Sequence, residues 1–513
     1  MNEKRQNKKK MYRGLSIICL VFSLAMIIVG CGSETASSPT IPTSTPLPTA
    51  PEIPTGKGVP TALNMGMNTP GGKSLTELQA PKTAKHIKKF TLTAQKAQLK
   101  LSSGIIVTDA WTFNGVAPGP TLHVQQGDLL EITLINHLPF DTSIHWHGIN
   151  INNASDGVAG VTQDGVKPGQ TYVYRFLVND AGSYWYHSHA FSYEETTRGL
   201  YGMLVVDPAR PTIHDDIDYS IALHDWSANN QSLTTLNATI GTINQTAKPG
   251  QWVRLRISNT ANLPHLLTLT GAPFTVAALD GHELNQPQSL TEKPLLIGAA
   301  QRYDLRFQMP AHGSVALVTS RDQVHYQQTP AVVIGTGTAP AKLTDASKPF
   351  FDFSNYGHAT TTSVTASSHF DQNYTLDLGN HMGQVMGHEG MTYTFNKKSF
   401  PNTDMLMVKE GQVIKVHVEN TAGEYHPIHL HGHAFTVLTH NGKALTGTPV
   451  MLDTINVAPH DSYDIGFLAN NPGVWMIHCH NLLHAYWGMD TMLVYTNINT
   501  PYTIGSTSGN FPD

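Results

Sequence analysis

Two stretches of this chain are copies of one another, and only a fold with internal repetition accommodates them. Residues 259–276 read NTANLPHLLTLTGAPFTV, and residues 420–437 read NTAGEYHPIHLHGHAFTV. Aligned without gaps, Asn259 meets Asn420, Leu269 meets Leu430, Gly271 meets Gly432 and Phe274 meets Phe435. A weaker version, INHLPFDTSIHWHGI, runs from Ile135 to Ile149. A second unit, GSYWYHSH from Gly182 to His189, matches GVWMIHCH from Gly473 to His480. Such self-similarity means that one structural unit is built several times. It predicts three similar domains in series, at 84–208, 209–340 and 345–500, with residues 501–513 as a C-terminal tail.

The units are β-structures. From about His86 onward, short strand-like runs alternate with turn signals such as Gln126-Gly127-Asp128 and Lys167-Pro168-Gly169. Charged residues are only 13%, Gly and Pro number 43 and 31, and long amphipathic helices are absent from the pattern. Short strands at this spacing predict an all-β protein of Greek-key sandwiches or barrels.

Histidine carries the chemistry. Trp475 to Met492 reads WMIHCHNLLHAYWGMDTM and gathers His478, Cys479, His480, His484 and Met489. One thiolate with imidazoles and a thioether suits copper, and His₂Cys with a weak axial Met is the blue-copper arrangement. On a strand, Cys479 faces one side while His478 and His480 face the other. Three further His-X-His units exist: His145/His147, His187/His189 and His429/His431. Spacing of two puts both rings of each pair on one face, about 6–7 Å apart. Two pairs come from the first domain and two from the third, so packing those domains together would converge eight imidazoles on one interface. In the middle domain Thr268 and Thr270 replace His429 and His431. That domain is expected to be a spacer, and its His265 a surface or hydrogen-bonded residue.

The N-terminus reads as a targeting segment. Lys4, Arg5, Lys8, Lys9, Lys10 and Arg13 precede an apolar run from Leu15 to Val29 that ends at Gly30-Cys31. This looks like a bacterial lipoprotein signal over residues 1–30, with Cys31 lipidated. The protein is expected to be exported, anchored on the outer side of the cytoplasmic membrane, or secreted if Cys31 is unused. Residues 31–83, largely Ser, Thr and Pro, are expected to be a disordered tether. Cys19 lies within the signal, so Cys479 is left as the one thiol available to a metal, in a compartment that oxidises free thiols. Without residues 1–30 the chain has 26 basic and 36 acidic residues, a net charge of −10. No basic patch with interleaved aromatics exists, which argues against nucleic-acid binding.

HWHG from His145, YHSH from Tyr186, HPIHLHGH from His426 and HCHNLLHAYWGM from His478 resemble the four copper signatures of three-domain multicopper oxidases, the laccase group. The resemblance covers about residues 86–498 and implies three consecutive cupredoxin-like domains and four copper ions. By that resemblance His426, Cys479, His484 and Met489 hold a type 1 copper. His145 and His429 hold a type 2 copper. His147, His187, His189, His431, His478 and His480 hold a type 3 pair. It implies one-electron oxidation of a small reductant at type 1 and reduction of O₂ to water at the trinuclear cluster, with Cys479 on the electron path. His433 is expected to be structural. Asp156 is the expected proton relay. Where many bacterial members carry a Glu soon after the counterpart of His484, this chain has Ala485, and no acid follows before Asp490.

Three reductant readings remain open. One is a laccase-like oxidase of phenols and aromatic amines. Another is a metallo-oxidase of Cu(I) or Fe(II), toward which HMGQVMGHEGM, His381 to Met391, and nearby Met405 and Met407 point modestly. The third is a copper-sequestering lipoprotein with little turnover. The protein is expected to act as a monomer.

Overall fold

The asparagine that begins each repeat closes the same turn three times. In the computed structural model, which describes residues 68–102, 104–228, 231–320, 331–336, 349–385 and 387–513, Asn136 Nδ2 donates to the carbonyls of Phe140 and Val166, and its Oδ1 accepts from Leu138 N. Asn259 does the same with Leu263, Ile297 and Ala261. Asn420 does it with Glu424, Val457 and Ala422. An Asn side chain can satisfy its own loop and a neighbouring strand at once, which is why this residue recurs.

Each domain is a pair of packed sheets, and the three are cupredoxin-like. In each, the first long strand pairs parallel with a later one: Ile87–Lys100 with Leu129–Asn136, Ile217–Ala228 with Trp252–Asn259, and Gln372–Val385 with Val413–Asn420. In each, the opposite sheet has a second parallel pairing. Gly119–Gln125 lies beside Tyr201–Asp207 in the first domain, and Thr242–Gln245 beside Ala331–Gly335 in the second. In the third, Leu406–Val408 lies beside Asp490–Tyr495, with Leu406 opposite Leu493. The repeat is therefore visible in the topology as well as in the sequence. Alternate residues of these strands fill the cores, for example Leu130, Ile132 and Leu134 in the first domain and Ile414, Val416 and Val418 in the third.

The first and third domains meet along the strand Val474–Cys479. The Asn153 side chain donates to Val474 O at 2.8 Å and accepts from Val474 N at 3.1 Å, like one more strand residue. This seats the histidine strands of both domains against a shared space.

The expected signal, Cys31 and the tether as far as residue 67 lie outside the described residues. The rest of the expected tether, 68–83, is not a disordered linker. Lys73–Ser74 pairs parallel with Ile498–Asn499, Ser74 and Glu77 form a capping box, and Leu75 is fully buried in the main core. The Ser-x-x-Glu signal of that box is present in the sequence, masked by the Ser/Thr/Pro composition before it. Residues 501–513, expected only as a tail, fold back on the first domain: Gly165 N donates to Asn510 Oδ1 and Phe191 N to Phe511 O. Leu75→Ala should cost about 2–5 kcal/mol, the usual range for emptying a core site. Chemical denaturation measures it, and a loss under about 0.5 kcal/mol, the surface range, would show that the segment is not docked.

Candidate metal centre

The first donor set is built by a strand and the helix after it. Val474–Cys479 runs antiparallel to His426–Leu430, with Ile428 opposite Cys479 and His429 opposite His478. The short helix Leu482–Tyr486 then turns the chain back and returns His484. Cys479 Sγ lies 3.6 Å from His426 Nδ1 and 3.6 Å from His484 Nδ1, and the two nitrogens are 3.1 Å apart. Met489 is buried, and its carbonyl accepts from Cys479 N. Burial pushes the Cys479 thiol well above its usual range, so a thiolate here needs a cation beside it.

Behind this set, the eight imidazoles of the four His-X-His units converge. Two triads form, His147/His187/His480 and His189/His431/His478, and His145 and His429 lie together with His147; within each group the donor atoms are within 4.8 Å of one another. Both triads draw on the first and third domains. Hydrogen bonds on the outside decide how the rings point. His145 Nδ1 donates to Asp156 O, His187 Nδ1 to Ser188 O, His189 Nδ1 to Pro512 O and His429 Nδ1 to Asp453 O. His431 Nδ1 donates to Asp156 Oδ2 at 3.0 Å, and His147 Nε2 to Asp453 Oδ1 at 3.1 Å. The other nitrogens of His145, His147, His189 and His429 are buried without a partner among the described residues. His431 Nε2 faces His478 Nε2 at 3.2 Å, and His187 Nε2 faces His480 Nε2 at 3.4 Å. Bare nitrogens aimed at one another in a dry space fit a cluster of metal ions. Neutral imidazoles are favoured, because burial and neighbouring rings hold His147, His187, His189, His431, His478 and His480 well below the usual histidine range.

The other expected residues are also placed. His433 has both ring nitrogens engaged, with His431 O and Tyr495 OH. His265 is buried rather than on the surface and pairs with Asp225 at 3.1 Å. Ala485 lines a cleft with Asp490, Phe511 and Asp513. Burial raises both of those carboxyls, Asp513 to about 7.

Sequence reasoning missed several residues. Glu424 Oε2 lies 3.2 Å from His484 Nε2 and is about half exposed. Buried Glu195 accepts from Thr142 and from Ser188, the residue between His187 and His189. Asp453 holds two imidazoles. For Asp453, burial alone would raise the carboxyl, but the Arg302 guanidinium holds it well below the usual range. None of these has a local spacing signal, since each acts on a residue brought close by the fold.

Three β-domains that join a buried Cys/His₂ site to eight converging imidazoles define a copper-dependent oxidoreductase. The chain belongs to the multicopper oxidase family, whose profiles match residues 94–211, 185–339 and 371–498. It is 31% identical to multicopper oxidase MmcO of Mycobacterium tuberculosis, over 79% of this chain and 86% of that one. It is 29% identical to Laccase-1 of Botryotinia fuckeliana, over 79% of this chain and 82% of that one. The solved multi-copper oxidase from Pseudomonas thermotolerans superposes with a TM-score of 0.64 at 29% identity, covering 80% of this chain and 99% of that one. The protein is an O₂-reducing copper enzyme.

The depressed histidines carry a stability consequence. Their folded-state values lie below the unfolded value of about 6.5, so the unfolded chain binds more protons once the pH falls below that point. Stability of the metal-free protein is therefore present above about pH 6.5 and falls as the pH drops below it. Urea midpoints of chelator-treated protein should decline from about pH 7 to about pH 5; a flat profile would contradict the assignment of neutral, buried rings.

Proposed function

We propose that this enzyme is a laccase-like oxidase that takes single electrons from phenols and aromatic amines and reduces O₂ to water. In this reading His426, Cys479, His484 and Met489 hold the type 1 copper. His145 and His429 hold type 2, and the two histidine triads hold the type 3 pair. Copper supplies the one-electron chemistry and the O₂ binding when it is present. The observation that carries the reading is the strand Val474–Cys479: Cys479 belongs to one donor set, and its neighbours His478 and His480 belong to the other. Adjacent residues thus connect the two sets by a short covalent path.

Glu424 marks the point of reductant contact. It is half exposed, accepts from the outer nitrogen of His484, and lies 3.5 Å from Tyr393 OH. A phenol O–H reaching His484 would meet this carboxylate first. On the cluster side, Asp156 touches His145 and His431 and is the proton relay of the proposal. Oxidation of Cu(I) or Fe(II) is the second reading. Exposed Met382 and Met391 stand opposite each other on the hairpin that also carries Tyr393, and thioethers suit Cu(I). We propose also that the chain is exported as a monomer and anchored through lipid on Cys31.

Purified copper-loaded protein should be compared by kcat/KM on a phenol, an aromatic amine, Cu(I) and Fe(II), with oxygen uptake recorded. Highest efficiency on the organic reductants supports the proposal, and highest efficiency on a metal ion selects the second reading. Cys479→Ser should remove the blue colour and the oxidase activity while leaving the fold; a blue, active variant would sink the site assignment. Glu424→Gln removes one charged hydrogen-bond acceptor, worth roughly 1.5 kcal/mol, and should lower kcat/KM about tenfold. Unchanged kcat/KM for every reductant would move the entry point elsewhere.

A further inference from the structure

Arg302 is fully buried at the start of the strand Arg302–Gln308, in the domain that carries no copper histidines. All five of its N–H groups are used. Nε donates to Ser183 O of the first domain at 3.0 Å. Nη1 donates to Ala300 O and to Asp453 Oδ1, the latter at 2.8 Å. Nη2 donates to Asp280 O and to Asp453 Oδ2, the latter at 2.5 Å. The guanidinium therefore grips the Asp453 carboxylate with both arms while three carbonyls fix its own plane.

Asp453 belongs to the third domain and reaches the histidines of two domains. Its Oδ1 accepts from His147 Nε2 and from Thr454 Oγ1, and its carbonyl accepts from His429 Nδ1. Asp280, from the middle domain, holds the same place from the other side, accepting from Asp453 N and Thr454 N with Oδ2. The turn after His147 is shaped around this pair. A Cβ at Gly148 would collide with both Arg302 Nη2 and Asp453 Oδ2. The glycine of HWHG leaves room for the ion pair between Arg302 of the middle domain and Asp453 of the third.

We infer that Arg302 is a positioning residue for the trinuclear site, acting through Asp453 on His147 and His429. The middle domain is thus part of the metal machinery and not only a spacer. Arg302 fixes the Asp453 carboxylate, and the carboxylate fixes the His147 ring with Nδ1 inward. Partners of this kind alter metal affinity by about 10–100-fold when removed. The type 1 donors lie wholly in the third domain, apart from the groups that Arg302 binds, so the two sites should respond differently.

The inference rests on His147 and His429 being copper ligands, and the test separates the two claims. Arg302→Lys, His147→Ala and the unaltered protein are loaded with copper and titrated with a chelator. Copper per chain, the type 2 EPR signal, the near-ultraviolet type 3 absorption and the blue type 1 band are followed together. In Arg302→Lys the type 2 and type 3 signals should be lost at about 10–100-fold lower chelator concentration, with the blue band retained. If His147→Ala depletes the cluster but Arg302→Lys does not, the inference fails and the ligands stand. If His147→Ala leaves the cluster intact, the ligand assignment itself fails. Should Arg302→Lys fold poorly, the double variant Arg302→Met with Asp453→Asn removes both charges together. A folded, blue double variant with a weakened cluster supports positioning, and one with a full-strength cluster overturns it.

Discussion

Eight imidazoles share one dry space, and for most of them an acceptor outside it sets the direction of the ring. Six of the eight rings donate an outward N–H bond: to the carbonyls of Asp156, Ser188, Pro512 and Asp453, and to the carboxylates of Asp156 and Asp453. Their remaining nitrogens are then directed inward, where among the described residues they have no partner or face another ring. The rest of the architecture serves that condition. Strands and the residues just past their ends present histidines in pairs, the domain contact brings two pairs to two pairs, and the outer acceptors come from loops and from the C-terminal segment at Pro512.

The parts legible in the sequence are those with a local period. Two-residue spacing brings the rings of each His-X-His unit to the same space, within one strand for His145 and His147 and at a strand end for the other three, and the repeated Asn and Gly mark the domains. The alternation at His478, Cys479 and His480 by itself separates the two donor sets. What is illegible depends on contacts between distant segments. Asp453 has no partner histidine near it in sequence, and Arg302 reads only as a charged residue beginning a strand. The composition of residues 31–83 conceals a docked piece, because one buried leucine and a capping box barely change an average.

The middle domain shows the repeat without the His-X-His unit of its counterpart. Thr268 stands in the strand where the third domain has His429, and His265 pairs with the Asp225 carboxylate instead of lying beside a thiol. The turn asparagine and both parallel pairings persist. Scaffold and histidine donors are therefore separable, and the scaffold holds a buried arginine that reaches across both neighbours.

The two ends of the described chain impose an order of events. Asn68 bonds the Thr500 carbonyl across 432 positions, and Lys73–Ser74 pairs beside Ile498–Asn499. His189 is steadied by Pro512. Contacts this remote form late, after the cost of closing a long loop has been met. On a ribosome the strand at Lys73 must wait until Ile498 and Asn499 have been made before it finds its neighbour. The ring of His189 is likewise steadied only once Pro512 has been made, so a chain that stops short of it leaves one of the eight imidazoles without its outer acceptor.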